Sequence, residues 1–214
     1  MAAAAATTFA APHTAEADIH YSGAINQRIK ARGSATFPLG GNGAYFQAGH
    51  FNYVGGSSSF SAGGVAWLYF HGAQSGAVNG ATCTCKDNTE ICASHLNRRD
   101  AISVRPFAQN VGILAYDFYF NFWFSCGNFR ERGVALAGFK FNDGAGDQYG
   151  WVRVRMEGPR RNYFSVIDYA YGDPGDRVFA GQMSNNDAGP ALESLGGMAL
   201  GAAGLLSWRK GRGR

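Results

Sequence analysis

Val111-Gly112-Ile113-Leu114-Ala115-Tyr116-Asp117-Phe118-Tyr119-Phe120-Asn121-Phe122-Trp123-Phe124-Ser125-Cys126 is the strongest periodic segment of this chain. From Leu114 to Cys126 every even position is apolar, while the odd positions include Asp117, Asn121 and Ser125. Successive side chains of an extended strand point to opposite faces of a sheet. The pattern therefore predicts a central strand, with room for one bend, whose aromatic set faces the core and whose Asp117 faces solvent. At about 25 cal/mol per Å² of buried apolar surface, that set is expected to be the leading source of core stability.

Similar strand patterns recur on both sides of this run. Residues 134–141 and 151–156 read as strands, with Val152, Val154 and Met156 on one face of the second and Trp151, Arg153 and Arg155 on the other. Between them, Asn142-Asp143-Gly144-Ala145-Gly146-Asp147 supplies a turn whose glycines permit positive φ. Segments 163–171 and 177–180, divided by Gly172-Asp173-Pro174-Gly175-Asp176, complete an antiparallel meander. Upstream, 19–29, 44–54 and 65–70 are weaker strands, spaced by Gly40-Gly41-Asn42-Gly43 and Gly55-Gly56-Ser57-Ser58-Ser59. Short strands at this spacing across 18–182 predict an all-β domain of two packed antiparallel sheets, a sandwich or jelly roll. The absence of a fixed-period repeat argues against a propeller or solenoid.

With 214 residues the chain can form one substantial core plus tails. Its 31 glycines and a charged fraction of only 16% mark a turn-rich, weakly charged sequence, and 46% apolar residues suffice to bury a core. No apolar run reaches the roughly 18 residues of a free-standing membrane span, which excludes a multispanning membrane protein. The net charge of +4 is mostly terminal: from Pro190 onward, Arg209, Lys210, Arg212 and Arg214 against Glu193 contribute +3, leaving +1 for the rest. A body so nearly neutral lacks the basic footprint of a nucleic-acid binder, and Arg153 and Arg155 read as a solvated sheet face.

Four cysteines occur, and Cys83, Cys85 and Cys92 crowd into a polar stretch at 81–100, far from Cys126. A bridge between Cys83 and Cys85 would close too small a ring, so Cys92 and Cys126 are expected each to take one of that pair. Two disulfides would tie a loose loop to the aromatic strand and contribute about 2–4 kcal/mol. A zinc site is the rival reading, but the spacing lacks the paired C-x-x-C knuckles of structural zinc. Disulfides would place the protein in an oxidising compartment.

Little in the chain points to catalysis. No two of the five histidines stand at a metal-ligand spacing, and no G-x-S-x-G elbow occurs. Asp117 and Asp168 lie among aromatics that could tune a carboxylate by desolvation. The plainer reading of Asp168 is a bond to a neighbouring turn. Asp143 and Asp147 could face a calcium ion, but the full ligand spacing of an EF-hand is missing, and an ordinary turn is expected. Aromatic rings offer a better clue, since ring faces match the apolar faces of pyranose sugars. Trp67, Tyr69, Trp123, Trp151 and Tyr169 are candidates for glycan-facing positions, with core packing as the alternative for each.

The two ends differ from the body. Residues 1–17 are nearly all small, with A-x-A spacing in Ala10-Ala11-Pro12-His13-Thr14-Ala15-Glu16-Ala17, and read as a signal-peptide remnant or an Ala-rich leader. After a polar linker at 183–191, the segment 192–214 runs from a short apolar helix to Trp208 and the basic cluster Arg209-Lys210-Gly211-Arg212-Gly213-Arg214. Such an order suits a membrane handle with Arg209 and Lys210 held on the cytoplasmic side.

Leu200-Gly201-Ala202-Ala203-Gly204-Leu205-Leu206 followed by Trp208-Arg209-Lys210 resembles the C-terminal sorting signal of PEP-CTERM proteins of Gram-negative and related bacteria. Gln148-Tyr149-Gly150-Trp151-Val152-Arg153-Val154, Val166-Ile167-Asp168-Tyr169-Ala170-Tyr171 and Ala180-Gly181 are similar to the terminal meander often seen ahead of that signal. Pro190-Ala191-Leu192-Glu193 stands where the family carries a Pro-Glu-Pro triplet. The resemblance implies export across the inner membrane and processing by an exosortase-type enzyme at a signal that includes Pro190, Glu193, Trp208, Arg209 and Lys210. It further implies delivery to the cell surface or extracellular matrix, beside exopolysaccharide.

The chain is thus expected to be a secreted or cell-surface, non-catalytic structural or adhesive protein of the PEP-CTERM type. No cofactor, no metal and no nucleic acid are expected, and self-association stays open. A carbohydrate-binding module comes second and a polysaccharide-active enzyme third. The second is marked by two or more aromatics on an exposed sheet face, the third by converging acids or a metal in a cleft.

Overall fold

The computed structural model describes residues 18–187, apart from 54–62, 73–76, 79, 86–87, 108–109, 121 and 159–161. The leader, the end of the linker from 188 to 191 and the whole apolar-basic tail lie outside the described residues. Among the described residues thirteen strands form, in chain order β1 (Ile19–Tyr21), β2 (Gln27–Ile29), β3 (Ser34–Leu39), β4 (Ala44–Tyr53), β5 (Gly63–His71), β6 (Ala77–Val78), β7 (Gly80–Cys85), β8 (Asn88–Ala93), β9 (Val111–Phe120), β10 (Phe122–Cys126), β11 (Gly133–Asn142), β12 (Asp147–Met156) and β13 (Phe164–Gly172). Sheet I runs β1-β13-β12-β11-β6, with β2 also on β13; sheet II runs β3-β4-β5-β9-β8-β7, with β10 on β9. Every pairing is antiparallel except the short parallel contact of β8 with β9 at Cys92 and Ile113. The two-sheet all-β sandwich is as expected, and β11-β12-β13 is the anticipated meander.

Several strands depart from the sequence reading. The run 111–126 is two strands, because β10 folds back on β9 with Phe124 opposite Phe118. One strand of that length would extend roughly 54 Å at ~3.4 Å per residue, far beyond the nine-residue β5 it pairs with. Segment 19–29 breaks into β1 and β2 around Gly23 (φ 72°) and Asn26 (φ 51°). The supposed loose loop at 81–100 contains the β7–β8 hairpin. β3 was not anticipated; it is an edge strand, where Pro38 removes no ladder donor that the sheet needs. Segment 177–180 contributes only a bridge from Phe179 to Ala101.

Between the sheets lies an aromatic seam. Phe46 stacks on Phe37 and Phe70 with ring centroids at 4.7 and 5.3 Å, and Phe70 reaches across to Phe139 of sheet I at 4.7 Å. Phe139 can come so close because its cross-strand partner is Gly150. A Cβ there would fall within 2.7 Å of the Phe139 ring and of the Ala170 carbonyl oxygen. Tyr169, also of sheet I, meets Phe46 edge-on at 5.1 Å and donates its hydroxyl to the Pro38 carbonyl of sheet II at 2.7 Å. A second apolar cluster covers the outside of sheet I, where Leu96, Ile102, Val178 and Ala180 bury Trp151 and Ala170.

One bulge in each sheet resets the alternation. Ala66 pairs with Ala115 but Trp67 pairs with Ile113, so Leu114 is an extra residue in β9. Beyond it the phase inverts: Asp117 is fully buried and Tyr116 takes the outward register. The expected solvent-facing Asp117 is corrected accordingly. In sheet I, Arg153 pairs with Asp168 and Val154 with Val166, which makes Ile167 the extra residue of β13. Its carbonyl accepts hydrogen bonds from the Ile25 and Asn26 amides at 2.7 and 3.1 Å.

Burial pushes the Tyr169 hydroxyl up to about 12. Between the ordinary tyrosine value near 10 and about 12 the folded state holds a proton that the unfolded state releases. Stability from this group is therefore complete below pH 10 and declines as pH rises toward 12. Tyr169→Phe is expected to cost about 1–2 kcal/mol by stranding the Pro38 carbonyl, and to flatten that alkaline decline. Urea unfolding at pH 8 and pH 11 checks both.

Candidate functional site

The outer face of sheet II gathers aromatic side chains. On β5, alternate residues Val65, Trp67, Tyr69 and His71 point outward, each partly exposed. Two-residue steps along a strand set them about 7 Å apart. Across the ladder, β4 places Phe51 opposite Val65, Gly49 opposite Trp67, Gln47 opposite Tyr69 and Tyr45 opposite His71. Tyr45 and His71 stack at 4.3 Å, and Tyr69 meets His71 edge-on at 4.1 Å while accepting a 2.8 Å hydrogen bond from the Asn110 amide. Burial holds the His71 ring below the ordinary histidine range, so it is neutral at pH 7.

Trp67 has a particular seat. A Cβ on Gly49 would lie within 2.6 Å of three consecutive indole atoms, Cε2, Cζ2 and Cη2. Three neighbouring ring atoms at such similar distances mean that the face of the ring, not its edge, rests on the glycine. The indole is thereby laid flat on the sheet, and Trp67 lines a groove of about 600 Å³ together with Arg32, Gly33, Ser34, His50, Phe51 and Asn52. Phe51 is 56% exposed at its margin.

The outer face of sheet I carries a different arrangement. The Ile167 bulge turns Asp168 outward beneath β1, where it is fully buried. Arg153 donates to both carboxylate oxygens, through Nε at 2.8 Å and through Nη2, and Tyr21 donates its hydroxyl at 2.8 Å. Asp168 thus bonds across strands and not to a neighbouring turn. Its hydrogen bond raises Arg153 above the ordinary arginine range, and burial together with Asp168 raises Tyr21. Arg153 also lines a cleft of about 280 Å³ with His95, Arg98 and Leu136. A guanidinium already paired this way serves mainly to fasten β1 to β12 and β13.

A third locus sits inside the sandwich. His50, Asp117 and Asn162 are all buried. Asn162 donates to the Gly64 carbonyl at 2.9 Å, and His50 meets Tyr163 edge-on at 5.1 Å. In register, Asp117 faces Gly64 while His50 faces Ala66, so β5 runs between the two strands that carry them.

Of the five aromatics singled out from sequence, Trp67 and Tyr69 share one outer face. Trp151 and Tyr169 are buried and unavailable to a glycan: Trp151 donates its indole N–H to the Gln182 carbonyl at 2.9 Å, and Tyr169 belongs to the seam. The side chain of Trp123 lies outside the described residues. Sequence reasoning missed Tyr45, His71, Phe51 and Gly49; the outward parity of β4 carries Tyr45 and Phe51 and that of β5 carries His71, whereas the glycine is recognisable only from its cross-strand partner. The Asn142–Asp147 turn is ordinary, with the Asn142 and Asp143 side chains capping the amides of Gly144 and Ala145 at 2.9 and 3.2 Å. Cys83 and Cys92 form a disulfide across the β7–β8 hairpin, Cα atoms 5.7 Å apart. Cys126 is also disulfide-bonded, and no described cysteine is free; the Cys85 side chain lies outside the described residues. Pro190, Glu193, Trp208, Arg209 and Lys210 lie outside them as well.

Asp168→Ala is expected to cost about 3 kcal/mol, because it leaves a half-buried guanidinium without its partner. Arg153→Met in the same chain should recover part of that loss, and a double-mutant cycle of denaturant unfolding measures the coupling. No family model matches this chain, and neither a curated protein nor a solved structure matches it.

Proposed function

We propose that this protein is a secreted or cell-surface, non-catalytic adhesive protein whose β-sandwich binds carbohydrate on the outer face of sheet II. The observation that carries the reading is the Trp67 indole laid face-down on Gly49, with Tyr69, Tyr45 and Phe51 on the same face. A ring held flat on a sheet offers a rigid apolar plane matched to a pyranose face, and little side-chain entropy is lost when a sugar settles on it. Neighbouring Ser34, Asn52 and Arg32 supply the polar groups that orient a sugar. This moves carbohydrate binding from second place to the mechanism of the adhesive role that the sequence favours. Export, an exosortase-type processing enzyme, transient contact with the inner membrane and surface display belong to the same proposal, and rest on the PEP-CTERM-like tail.

Binding of the full-length chain to a glycan array is expected to be selective and to fall about tenfold in Trp67→Ala, with the fold retained. Gly49→Ala should act in the same direction, since its methyl group occupies the seat of the indole; tryptophan fluorescence reports the displaced ring. Unchanged binding in both variants, or turnover of a retained glycan, would overturn the reading. Intact mass of the natural protein reports whether the ends are removed.

A further inference from the structure

Resting on the carbohydrate reading, we infer that the Trp67 groove selects polysaccharides that carry carboxylate groups, with Arg32 as the residue that recognises the acid. No Asp or Glu occurs anywhere between Asp18 and Asp87, a stretch that contains β1 through β7. The three strands that build the aromatic face, β3, β4 and β5, therefore have no carboxylate of their own. Charge in this stretch is confined to Arg28, Lys30, Arg32 and Lys86. Arg28 is paired with Glu157 at 2.9 Å, whereas among the described residues Lys30 and Arg32 make no ion pair. The charges that this stretch itself offers an anionic polymer are all positive, which speeds encounter and disfavours cations.

The backbone adds an independent mark. Lys30 to Gly33 close a turn through a 3.0 Å hydrogen bond from the Gly33 amide to the Lys30 carbonyl, and Arg32 holds its third position at φ 55°. Glycine or asparagine is the favoured occupant of that left-handed conformation, and a long side chain there is disfavoured. Gly33 follows immediately yet does not take the position. The turn therefore spends conformational energy to present a guanidinium on the wall of the groove that also holds the Trp67 ring. A planar fork of N–H donors beside a flat apolar ring matches a uronic acid, whose carboxylate projects from the edge of a pyranose ring.

The test compares polygalacturonate with its methyl ester, which keeps the sugar ring and linkage and removes the charge, by calorimetry on the full-length protein. The acid is expected to bind about fivefold more tightly than the ester at 50 mM salt, with the difference shrinking at 300 mM. Arg32→Asn removes the charge while suiting the left-handed backbone; it should bring the affinity for the acid down to that for the ester and so abolish the preference, whereas Trp67→Ala should weaken both and keep the preference. Equal binding of acid and ester, or a preference that survives Arg32→Asn, overturns the inference while the carbohydrate reading stands. Binding of neither polymer, with Trp67-dependent self-association in sedimentation, overturns both and assigns the groove to a second copy of the chain.

Discussion

The contact among Phe46, Phe70 and Phe139 holds the two sheets at their working distance. It is a cross-sheet stack of rings, and it forms only because Gly150 leaves room for Phe139 beside the Ala170 carbonyl. Tyr169 adds a polar link in this region, from β13 to the carbonyl of Pro38 on the edge strand β3. With the inner faces of β4 and β5 committed to this seam, their outer faces are fixed in register as well. Trp67 on the outer face of sheet II and Phe139 in the core follow the same rule, each ring covering the glycine opposite it on the neighbouring strand. Inside, the device closes the core; outside, it makes a flat apolar surface.

Two single-residue bulges distribute the polar groups. Leu114 in β9 sends Asp117 into the interior, and Ile167 in β13 sends Asp168 outward under Tyr21 and Arg153. Each carboxylate sits three residues or fewer from the extra residue that reverses its side. The buried ion pair so formed fastens a three-residue strand, β1, that has little apolar surface of its own to hold it in place. An N-terminal segment that short depends on such a clasp more than on its ladder hydrogen bonds.

Much of this architecture is legible in the residues themselves, where alternation is unbroken. Trp67 and Tyr69 belong to a strand whose burial alternates without a slip, so their shared face follows from parity. Val152, Val154 and Met156 likewise face the core as their spacing implies. Trp151 shows where such reading stops: its parity is right, but the segments carrying Leu96, Ile102 and Val178 fold over that face from far away in the chain. Asp117 shows a second limit, because no glycine or proline marks the Leu114 bulge. For the site, the aromatic positions can be listed from sequence, but the pairing of Gly49 with Trp67 is a fact of register between strands and cannot be.

The joining of β1 to β13 also settles how the body is held. Asp18 donates its amide to Asp176 at 3.2 Å and Ile19 to Asn185 at 3.0 Å, so the described chain enters and leaves at one corner of sheet I. The ring-bearing face is on the other sheet. A tether attached at either end would thus grip the molecule from behind and leave the face that carries Trp67 and Tyr69 uncovered by its own attachment.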